Sequence, residues 1–250
     1  MPKAGSPEEE WEDGAALDLA NNSFALFDGT STSARSYDWS ELLSRTWFEH
    51  NLGPIDLAGV KAWVDHSCVQ WAAVLSTTSR LDAGAIVPDW LRKATADMTT
   101  AQATILTVTL MGASGDVAPT TWLAGAIGDT CLFHIRGTSL VRSFPIEDAA
   151  GFSTLTAAVS SDMDENALML ERYWEEQSGV LLPGDILVGA TDALAEWCLR
   201  ENDPDIWYVL PRLDQASLRE LVTHARHLPP DRRMRDDDVT LAVVAVDGVV

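Results

Sequence analysis

Four short segments rich in β-branched and other apolar residues follow one another closely in the middle of the chain. They are ATILTVTLM (103–111), WLAGAIGDT (122–130), CLFHIRGT (131–138) and SLVRSFPI (139–146). Glycine and turn residues separate them, which is typical of hairpins or a meander of antiparallel strands. This run of strands restricts the folds available to the chain more than any other feature of the sequence.

Helical patterns lie on both sides of this run. Apolar spacing predicts helices at 36–52, 55–77, 89–103, 163–178, 193–200 and 214–228. Further strands are predicted at 23–28, from 180 up to the helix that begins near 193, and at 237–248, where Thr240 to Val246 is expected to be buried. Because strands and helices do not alternate regularly, an α+β layered architecture is favoured over a doubly wound parallel sheet. We predict a single domain over 1–250, with 1–10 as a loose polar lead-in.

The net charge and the cysteine content of the chain indicate which kinds of partner and which cellular compartment to expect. The chain has 38 acidic and 17 basic residues, a net charge of −21. Such a surface repels nucleic acid and anionic lipid, so neither is expected as a partner. Three cysteines without a CxxC pair indicate a reducing compartment, and neither a signal-peptide core nor a run of about 18 apolar residues occurs. A cytoplasmic location is therefore expected.

Carboxylates stand at the ends of four apolar segments. Asp28 follows FALF, Asp129 follows WLAGAIG, Asp192 follows ILVGAT, and the pair Asp237 and Asp238 precedes VTLAVV. If these ends meet at one edge of the structure, several like charges converge and need a counter-charge. Oxygen ligands of this kind suit Mg²⁺ or Mn²⁺, and two such ions can activate one water for in-line displacement.

Each carboxylate also has a simpler interpretation. Asp-Gly at 28–29 is a common turn dipeptide. Asp192 is placed to cap the helix predicted at 193–200. Asp237 and Asp238 are alternatively solubilising charges that a nearby group of arginines (Arg232, Arg233 and Arg235) neutralises. Spacing along the chain does not decide whether the four ends converge.

Four phrases, taken in order, resemble the motifs of the PPM-type (type 2C) metal-dependent serine/threonine protein phosphatases, in their compact bacterial form. They are SFALFDGTS, AIGDTCLFHIRG, PGDILVGATDALAEW and DDDVTLAVV. Each phrase is short, but their order and spacing span nearly the whole chain. The resemblance implies a four-layer α/β/β/α sandwich of two antiparallel sheets flanked by helices, with a two-metal centre at one end.

The resemblance also implies roles for particular residues. Asp28 would bridge two metal ions, and the carbonyl of Gly29 would bind one of them. Asp192 and Asp237 would hold the other ion. Asp129, together with Asp192, would form a weaker third metal site. Catalysis would then proceed through metal-bound water held by Asp28, Asp192 and Asp237.

Two acidic residues near the first strand match a further family feature. Glu12 and Asp13 correspond to the Glu-Asp pair that orders metal-bound water from the second coordination shell. Thr30 departs from the family pattern, because eukaryotic relatives have a histidine there that is thought to protonate the leaving group. Water is expected to take that part here.

The phosphate-binding residue stays unassigned. No arginine lies shortly before Glu12, where the family has one, and Lys3 is the nearest cation. Arg35 and the Arg232–Arg235 cluster are alternatives, although both also fit ordinary surface charge.

The leading hypothesis is hydrolysis of phosphoserine and phosphothreonine in proteins, with two divalent cations, Mn²⁺ or Mg²⁺, as cofactors. The partners would be phosphorylated proteins and, indirectly, a cognate serine/threonine kinase. A rival hypothesis is a catalytically weak or silent regulatory module with the same fold that binds a phosphoprotein. A third is an acidic structural domain whose strand-end carboxylates bind nothing.

Overall fold

The computed structural model describes residues 1–5, 11–30, 35–50, 56–81, 100–112, 120–153 and 155–245. The strands are β1 (Asp13–Asp18), β2 (Ser23–Gly29), β3 (Gln102–Met111), β4 (Thr121–Ile127), β5 (Cys131–Arg136), β6 (Ser139–Phe144), β7 (Val159–Ser160), β8 (Glu175–Val180), β9 (Asp185–Ala190) and β10 (Leu241–Ala245). The α-helices are α1 (Ser36–His50), α2 (Leu57–Leu81), α3 (Met163–Tyr173), α4 (Asp192–Glu201), α5 (Pro204–Val209) and α6 (Gln215–Arg226).

The strands form two antiparallel sheets. The first has the order β1-β2-β3-β4-β8, with β7 also paired to β3, and the second has the order β10-β9-β5-β6. The apolar, β-branched strand β3 lies in the middle of the first sheet, as its continuous hydrophobic pattern predicts. The connection from β4 to β5 is short, and it carries the chain from the first sheet to the second.

The two sheets pack face to face through a shared apolar core. Phe24 and Leu26 of the first sheet lie in one buried cluster with Leu132 and Leu187 of the second. The sheets approach so closely at Gly189 that an added Cβ would lie 2.9 Å from atoms of both Leu26 and Phe24. Burying such side chains contributes about 1.5–3 kcal/mol each, which makes this layer a major source of stability.

Helices cover both outer faces. α1 and α2 pack on the first sheet through buried tryptophans, where Trp39 and Trp71 meet edge to face, as do Trp47 and Trp63. The second sheet is covered by a cluster that includes Trp207 of α5 and residues of α4 and α6. The predicted four-layer α/β/β/α sandwich is therefore confirmed, and these tryptophans serve the core as expected.

Three sequence predictions for secondary structure need correction. The helix predicted at 163–178 ends at Tyr173, and β8 follows as an edge strand paired with β4. Its sequence, EEQSGV, has no alternating apolar pattern because most of the strand is not buried. β1 is an additional strand that the sequence patterns do not predict. Of the helix expected at 89–103, residues 89–99 lie outside the described residues, and 100–103 are not helical, because β3 begins at Gln102.

The final strand is shorter and more exposed than its apolar sequence predicts. β10 begins at Leu241, not near residue 237, and pairs with β9 at the edge of the second sheet. Its residues are only partly buried, and Val243 keeps 38% of its surface exposed. Burial along this strand was therefore overestimated, because an apolar run does not show whether a strand is central or at an edge.

The beginning of the chain is fixed to the segment before β10. The backbone N–H of Lys3 donates to Asp238 at 2.8 Å, and that of Ala4 donates to Asp236 at 2.8 Å. The loose lead-in expected at 1–10 is thus corrected for 1–5, while 6–10 lie outside the described residues.

The three cysteines are free, buried thiols, as the sequence predicts. Burial disfavours the charged form and raises the pKa of the Cys68 thiol to about 12, so this thiol stays protonated near neutral pH. In the part of the chain that the structure describes, no helix combines the length and apolarity needed to cross a membrane.

Candidate metal centre

Three of the predicted carboxylates meet at one edge of the sandwich. Oxygen atoms of Asp28, Asp129 and Asp192 all lie within 4.8 Å of one another. The topology explains this meeting. Strands β2 and β4 both run antiparallel to β3, so their C-terminal ends share an edge. In the second sheet, the end of β9 pairs with the start of β5, directly after Asp129, and brings Asp192 to the same place.

The end of β2 is shaped by a close approach of two backbones. Asp28 pairs with Asp13 on β1 and with Thr104 on β3. Gly29 donates its N–H to the carbonyl of Glu12 at 3.2 Å. An added Cβ on Gly29 would lie only 2.7 Å from that carbonyl oxygen and 2.7 Å from the Cβ of Ser36. Glycine is therefore required by space here, and it keeps Asp28 in register beside Asp13.

Asp129 is buried in the connection between the two sheets. Its Oδ2 accepts a hydrogen bond from the hydroxyl of Thr156 at 2.8 Å. The next residue, Thr130, pairs through its hydroxyl with that of Thr104 at 2.7 Å. These contacts fix the connection and hold the Asp129 carboxylate toward the cluster.

Asp192 is the first residue of α4 and does not cap that helix, so the capping alternative is wrong. The N-cap residue is Thr191. The backbone N–H of Asp192 points to Asp28 and donates to its Oδ2 at 3.4 Å. Its own Oδ2 accepts from Arg235 at 2.7 Å, while its Oδ1 is buried without a hydrogen-bond partner among the described residues.

Asp13 lies next to the cluster, on β1, where it pairs with Asp28. It is buried, and its Oδ2 accepts hydrogen bonds from the hydroxyls of Thr191 at 3.1 Å and Thr240 at 2.7 Å. Its Oδ1 is buried and has no partner within the described part of the chain. Asp13 thus connects β1 to the ends of β9 and β10. The two threonines were not singled out in the sequence, although each follows or precedes an apolar strand.

Asp237 and Asp238 have different surroundings. Asp237 lies outside the group of three mutually close carboxylates, and its Oδ1 is 3.3 Å from Nζ of Lys3. Asp238 is buried and accepts hydrogen bonds from the backbone N–H groups of Lys3 at 2.8 Å and Glu12 at 2.6 Å. Glu12 also pairs with Lys3, at 2.5 Å between Oε2 and Nζ. Asp238 therefore holds the beginning of the chain in place.

The arginines that were candidates for phosphate binding have different partners in the folded protein. Arg35 pairs with Asp38 and stacks over Trp71. Arg232 pairs with Glu201. Arg235 is the member of the cluster in contact with Asp192. The carboxylates of Asp237 and Asp238 contact Lys3 and Glu12 near the beginning of the chain, so neutralisation by Arg232, Arg233 and Arg235 is not what holds this pair.

The electrostatics of the cluster indicate a shortage of positive charge. Burial, followed by the nearby charges of Asp13 and Asp192, raises the pKa of Asp28 well above its ordinary value. Burial also raises the pKa of Asp13 to about 7 and that of Asp192 to about 7, and raises the pKa of Asp129. Hydrogen bonds from Thr240, Arg235 and Thr156 oppose these shifts only in part.

The donor set fits a hard divalent cation. Every candidate ligand is an oxygen, as Mg²⁺ and Mn²⁺ prefer. The partnerless buried oxygens of Asp13 and Asp192 are otherwise costly to leave without a hydrogen bond or a counter-charge. A cation in the cluster would offset both the repulsion and the missing hydrogen bonds.

A cavity of about 800 Å³ adjoins this region. Its lining includes five basic side chains, Lys3, Arg219, Arg226, Arg233 and Arg235, and the carboxylate of Asp236. Arg235 and Lys3 reach from this lining to Asp192 and Asp237 respectively. A chain of net charge −21 therefore concentrates basic groups beside its acidic cluster.

Several solved structures match this fold, and some of them are described as serine/threonine phosphatases. The catalytic domain of the serine/threonine protein phosphatase PstP, in complex with 2 manganese ions, matches with a TM-score of 0.58 and 16% identity, covering 99% of this chain and 96% of that one. The serine/threonine phosphatase Stp1 from Staphylococcus aureus matches with a TM-score of 0.62 and 12% identity, covering 99% and 94%. PppA, a key regulatory component of T6SS in Pseudomonas aeruginosa, matches with a TM-score of 0.57 and 15% identity, covering 98% and 95%.

These likenesses cover nearly the whole chain, and at this level of identity they establish the fold. No protein-family model and no curated protein matches the sequence. The resemblance read from the four short motifs is therefore confirmed for the fold of the PPM-type phosphatases.

Proposed function

We propose that the protein hydrolyses phosphoserine and phosphothreonine in proteins with the help of two divalent cations, Mn²⁺ or Mg²⁺. One observation carries the proposal: Asp28, Asp129 and Asp192 converge within 4.8 Å at the edge of a phosphatase fold. Such a group of like charges, with buried oxygens left unpaired, is poorly satisfied without cations.

We assign the cations to ligands from both sheets. Asp28 would contribute to both ions, the Gly29 carbonyl to one, and Asp192 with Asp237 to the other. When bound, the ions would neutralise the phosphoryl group and lower the pKa of a water molecule, which is the chemistry needed to replace the P–O bond to the serine or threonine side chain by a P–O bond from water, with release of the free hydroxyl and phosphate. Asp129 faces the same cluster from the connection between the sheets.

The chain's own residues set the geometry around these ligands. Asp13, held by Thr191 and Thr240, fixes the ends of three strands relative to one another. Glu12, held by Lys3, lies at the rim, where it is placed to orient water near the ions. The basic lining of the adjoining cavity suits the approach of an anionic phosphorylated segment.

The proposal extends to the setting of the protein. The substrates would be phosphoproteins made by a serine/threonine kinase, residues 1–250 would act as one domain, and the cytoplasm is the compartment that the free thiols favour.

A regulatory module that binds phosphoproteins without hydrolysing them is the second candidate. Two observations favour it: an arginine already contacts the candidate ligand Asp192, and Thr30 stands in place of a side-chain acid. One of the structures with this fold, PppA, is described as a regulatory component.

The deciding experiment measures hydrolysis and metal binding together. The full chain is assayed on p-nitrophenyl phosphate and on a phosphothreonine peptide, with Mn²⁺ or with EDTA, and Mn²⁺ binding is followed by titration calorimetry. Metal-dependent release of phosphate supports the enzyme. Mn²⁺ or phosphopeptide binding without turnover supports the regulatory module, and equal rates with Mn²⁺ and EDTA contradict two-metal catalysis.

A further inference from the structure

Arg235 connects the segment before β10 to the first turns of α4. Its Nη2 lies 2.7 Å from Oδ2 of Asp192, and its Nε lies 2.8 Å from Oε2 of Glu196. Asp192 and Glu196 are four residues apart, so both project from the same face of the helix. Glu196 also contacts Arg200, at 3.5 Å, whereas the described ion-pair contact of Asp192 is with Arg235.

The contact supplies Asp192 with one hydrogen bond, from Nη2 of Arg235, and with a positive charge. The Nε of Arg235 is buried and makes no aligned hydrogen bond, although it is close to Glu196. On the other side, Oδ1 of Asp192 is also without a partner among the described residues. A guanidinium is always protonated in proteins, so its positive charge beside Asp192 is permanent.

Asp129 belongs to the same side of the cluster. One of its oxygens lies within 4.8 Å of an oxygen of Asp192, and its Oδ2 is occupied by the hydroxyl of Thr156. A metal ion shared by Asp129 and Asp192 would stand next to the guanidinium of Arg235. Asp192 would then contact three positive charges, namely this ion, the ion it is proposed to share with Asp237, and the guanidinium, and three cations around one carboxylate repel one another strongly in a partly buried site.

We propose that Arg235 takes the place of a cation on the Asp129–Asp192 side of the cluster, so that this pair does not bind a third metal ion. The inference rests on the proposed function, because it uses the same acidic cluster. It is an alternative to the weaker third metal site of Asp129 and Asp192 that the family resemblance implies, which stays a prediction. A fixed arginine supplies there a positive charge whose presence does not depend on the concentration of metal.

The test counts the Mn²⁺ ions bound to the full chain. Titration calorimetry and elemental analysis of the wild type at millimolar Mn²⁺ are expected to give about two ions per chain, as a two-metal site requires. Arg235→Gln removes the charge and should bind one additional ion. Arg235→Lys keeps the charge and should behave as the wild type. Arg232→Gln is the matched control, since Arg232 lies three residues away and pairs with Glu201.

The outcomes separate this inference from the proposed function. Three ions in the wild type, or the same count in Arg235→Gln as in Arg232→Gln, would overturn the role of Arg235 and leave the phosphatase proposal standing. No Mn²⁺ binding to the wild type would overturn the two-metal proposal itself. Melting followed by circular dichroism checks that Arg235→Gln is folded. If Arg235→Gln is not folded, the number of Mn²⁺ ions bound to the wild type and to Arg235→Lys still tests the inference, because three ions bound to either protein would contradict it.

Discussion

Strand β9 is flanked by two aspartates with opposite environments, the buried Asp185 and the partly buried Asp192. Asp185, at the start, accepts hydrogen bonds from Nε and Nη2 of Arg136 at 2.7 and 2.8 Å, and from the N–H of Leu182 at 2.9 Å. It also contacts Nε2 of His134 at 2.8 Å. Burial alone would raise the pKa of Asp185, but the bonds from Arg136, Leu182 and His134 hold it well below its usual value.

Asp192, just beyond the other end, has fewer partners. Arg235 contacts one oxygen, the second oxygen is unpaired, and Asp129 lies close by. Burial is the largest influence and raises the pKa of Asp192 to about 7, despite the charge of Arg235. The comparison shows that two aspartates flanking one strand have opposite pKa shifts, because the number of hydrogen-bond donors around each carboxylate differs.

The largest expected effect is at Asp28, in the acidic cluster, where the carboxylates have few hydrogen-bond donors. Asp28→Asn keeps the side-chain shape but removes a charge that both cations would share, so the phosphatase rate should fall at least about 10²-fold. Unfolding of the metal-free protein should not become easier, because a repulsive charge is lost. Steady-state assays and urea melts test both statements. Asp18→Asn, at the opposite end of the β1–β2 pair, is the control and should leave the rate unchanged.

The pH dependence of stability should reveal the difference between the two ends directly. In EDTA, folded Asp13 and Asp192 keep protons up to about pH 7, whereas the unfolded chain releases them near pH 4. The free energy of unfolding should therefore decrease as pH rises through this window. One retained proton corresponds to roughly 1.4 kcal/mol per pH unit, which is on the order of 4 kcal/mol for each group over this window.

Asp185 should act in the opposite sense. Its pKa is lowered, so its stabilisation is complete above about pH 4 and disappears only in stronger acid. Urea unfolding at several pH values between 4 and 7, for the wild type and Asp13→Asn, measures the slope. A metal-free wild type that grows more stable from pH 4 to pH 7 would contradict the comparison.

Removing the charge of Asp185, whose carboxylate is fully hydrogen-bonded, should lower the stability of the protein and leave its phosphatase rate unchanged. Asp185→Asn turns an amide N–H₂ toward donors that need an acceptor, which should lower the free energy of unfolding by about 2 kcal/mol. The phosphatase rate per folded molecule should not change, since Asp185 lies at the far end of β9 from the cluster. An Asp185→Asn variant that is fully stable but inactive would reverse the assignment of the two ends.

The smallest expected change in stability belongs to a comparison of two neighbouring aspartates. Asp238 is buried and accepts two backbone N–H groups, so Asp238→Asn should lose one hydrogen bond and about 1 kcal/mol of stability while keeping most activity. Asp237→Asn should remove activity with little change in stability, because Asp237 is more exposed and is proposed as a ligand. Thermal melts and Mn²⁺ titrations of both variants are the measurements. If Asp238→Asn loses Mn²⁺ and Asp237→Asn keeps it, the ligand is Asp238.

Much of the fold and part of the site could be predicted from the sequence. The period of the apolar residues records burial along one element, which is why β3, the β5–β6 hairpin, α1 and α6 were found close to their observed bounds. The carboxylates that follow β2, β4 and β9 were recognisable because each interrupts an apolar run. Their order along the chain carried the resemblance to phosphatases.

Tertiary structure decided what depends on partners distant in the chain. β8 is a strand because β4 offers its backbone, although EEQSGV has no strand pattern, and β10 is partly exposed because it forms an edge. Asp185 and Asp192 look alike in sequence, as both flank the same apolar strand. Only the pairing of β9 with β5 brings Arg136 to Asp185, and only packing of the segment before β10 on α4 brings Arg235, 43 residues away, to Asp192. Spacing along a chain does not record such contacts, because they depend on which surfaces meet when the two sheets and their helices pack.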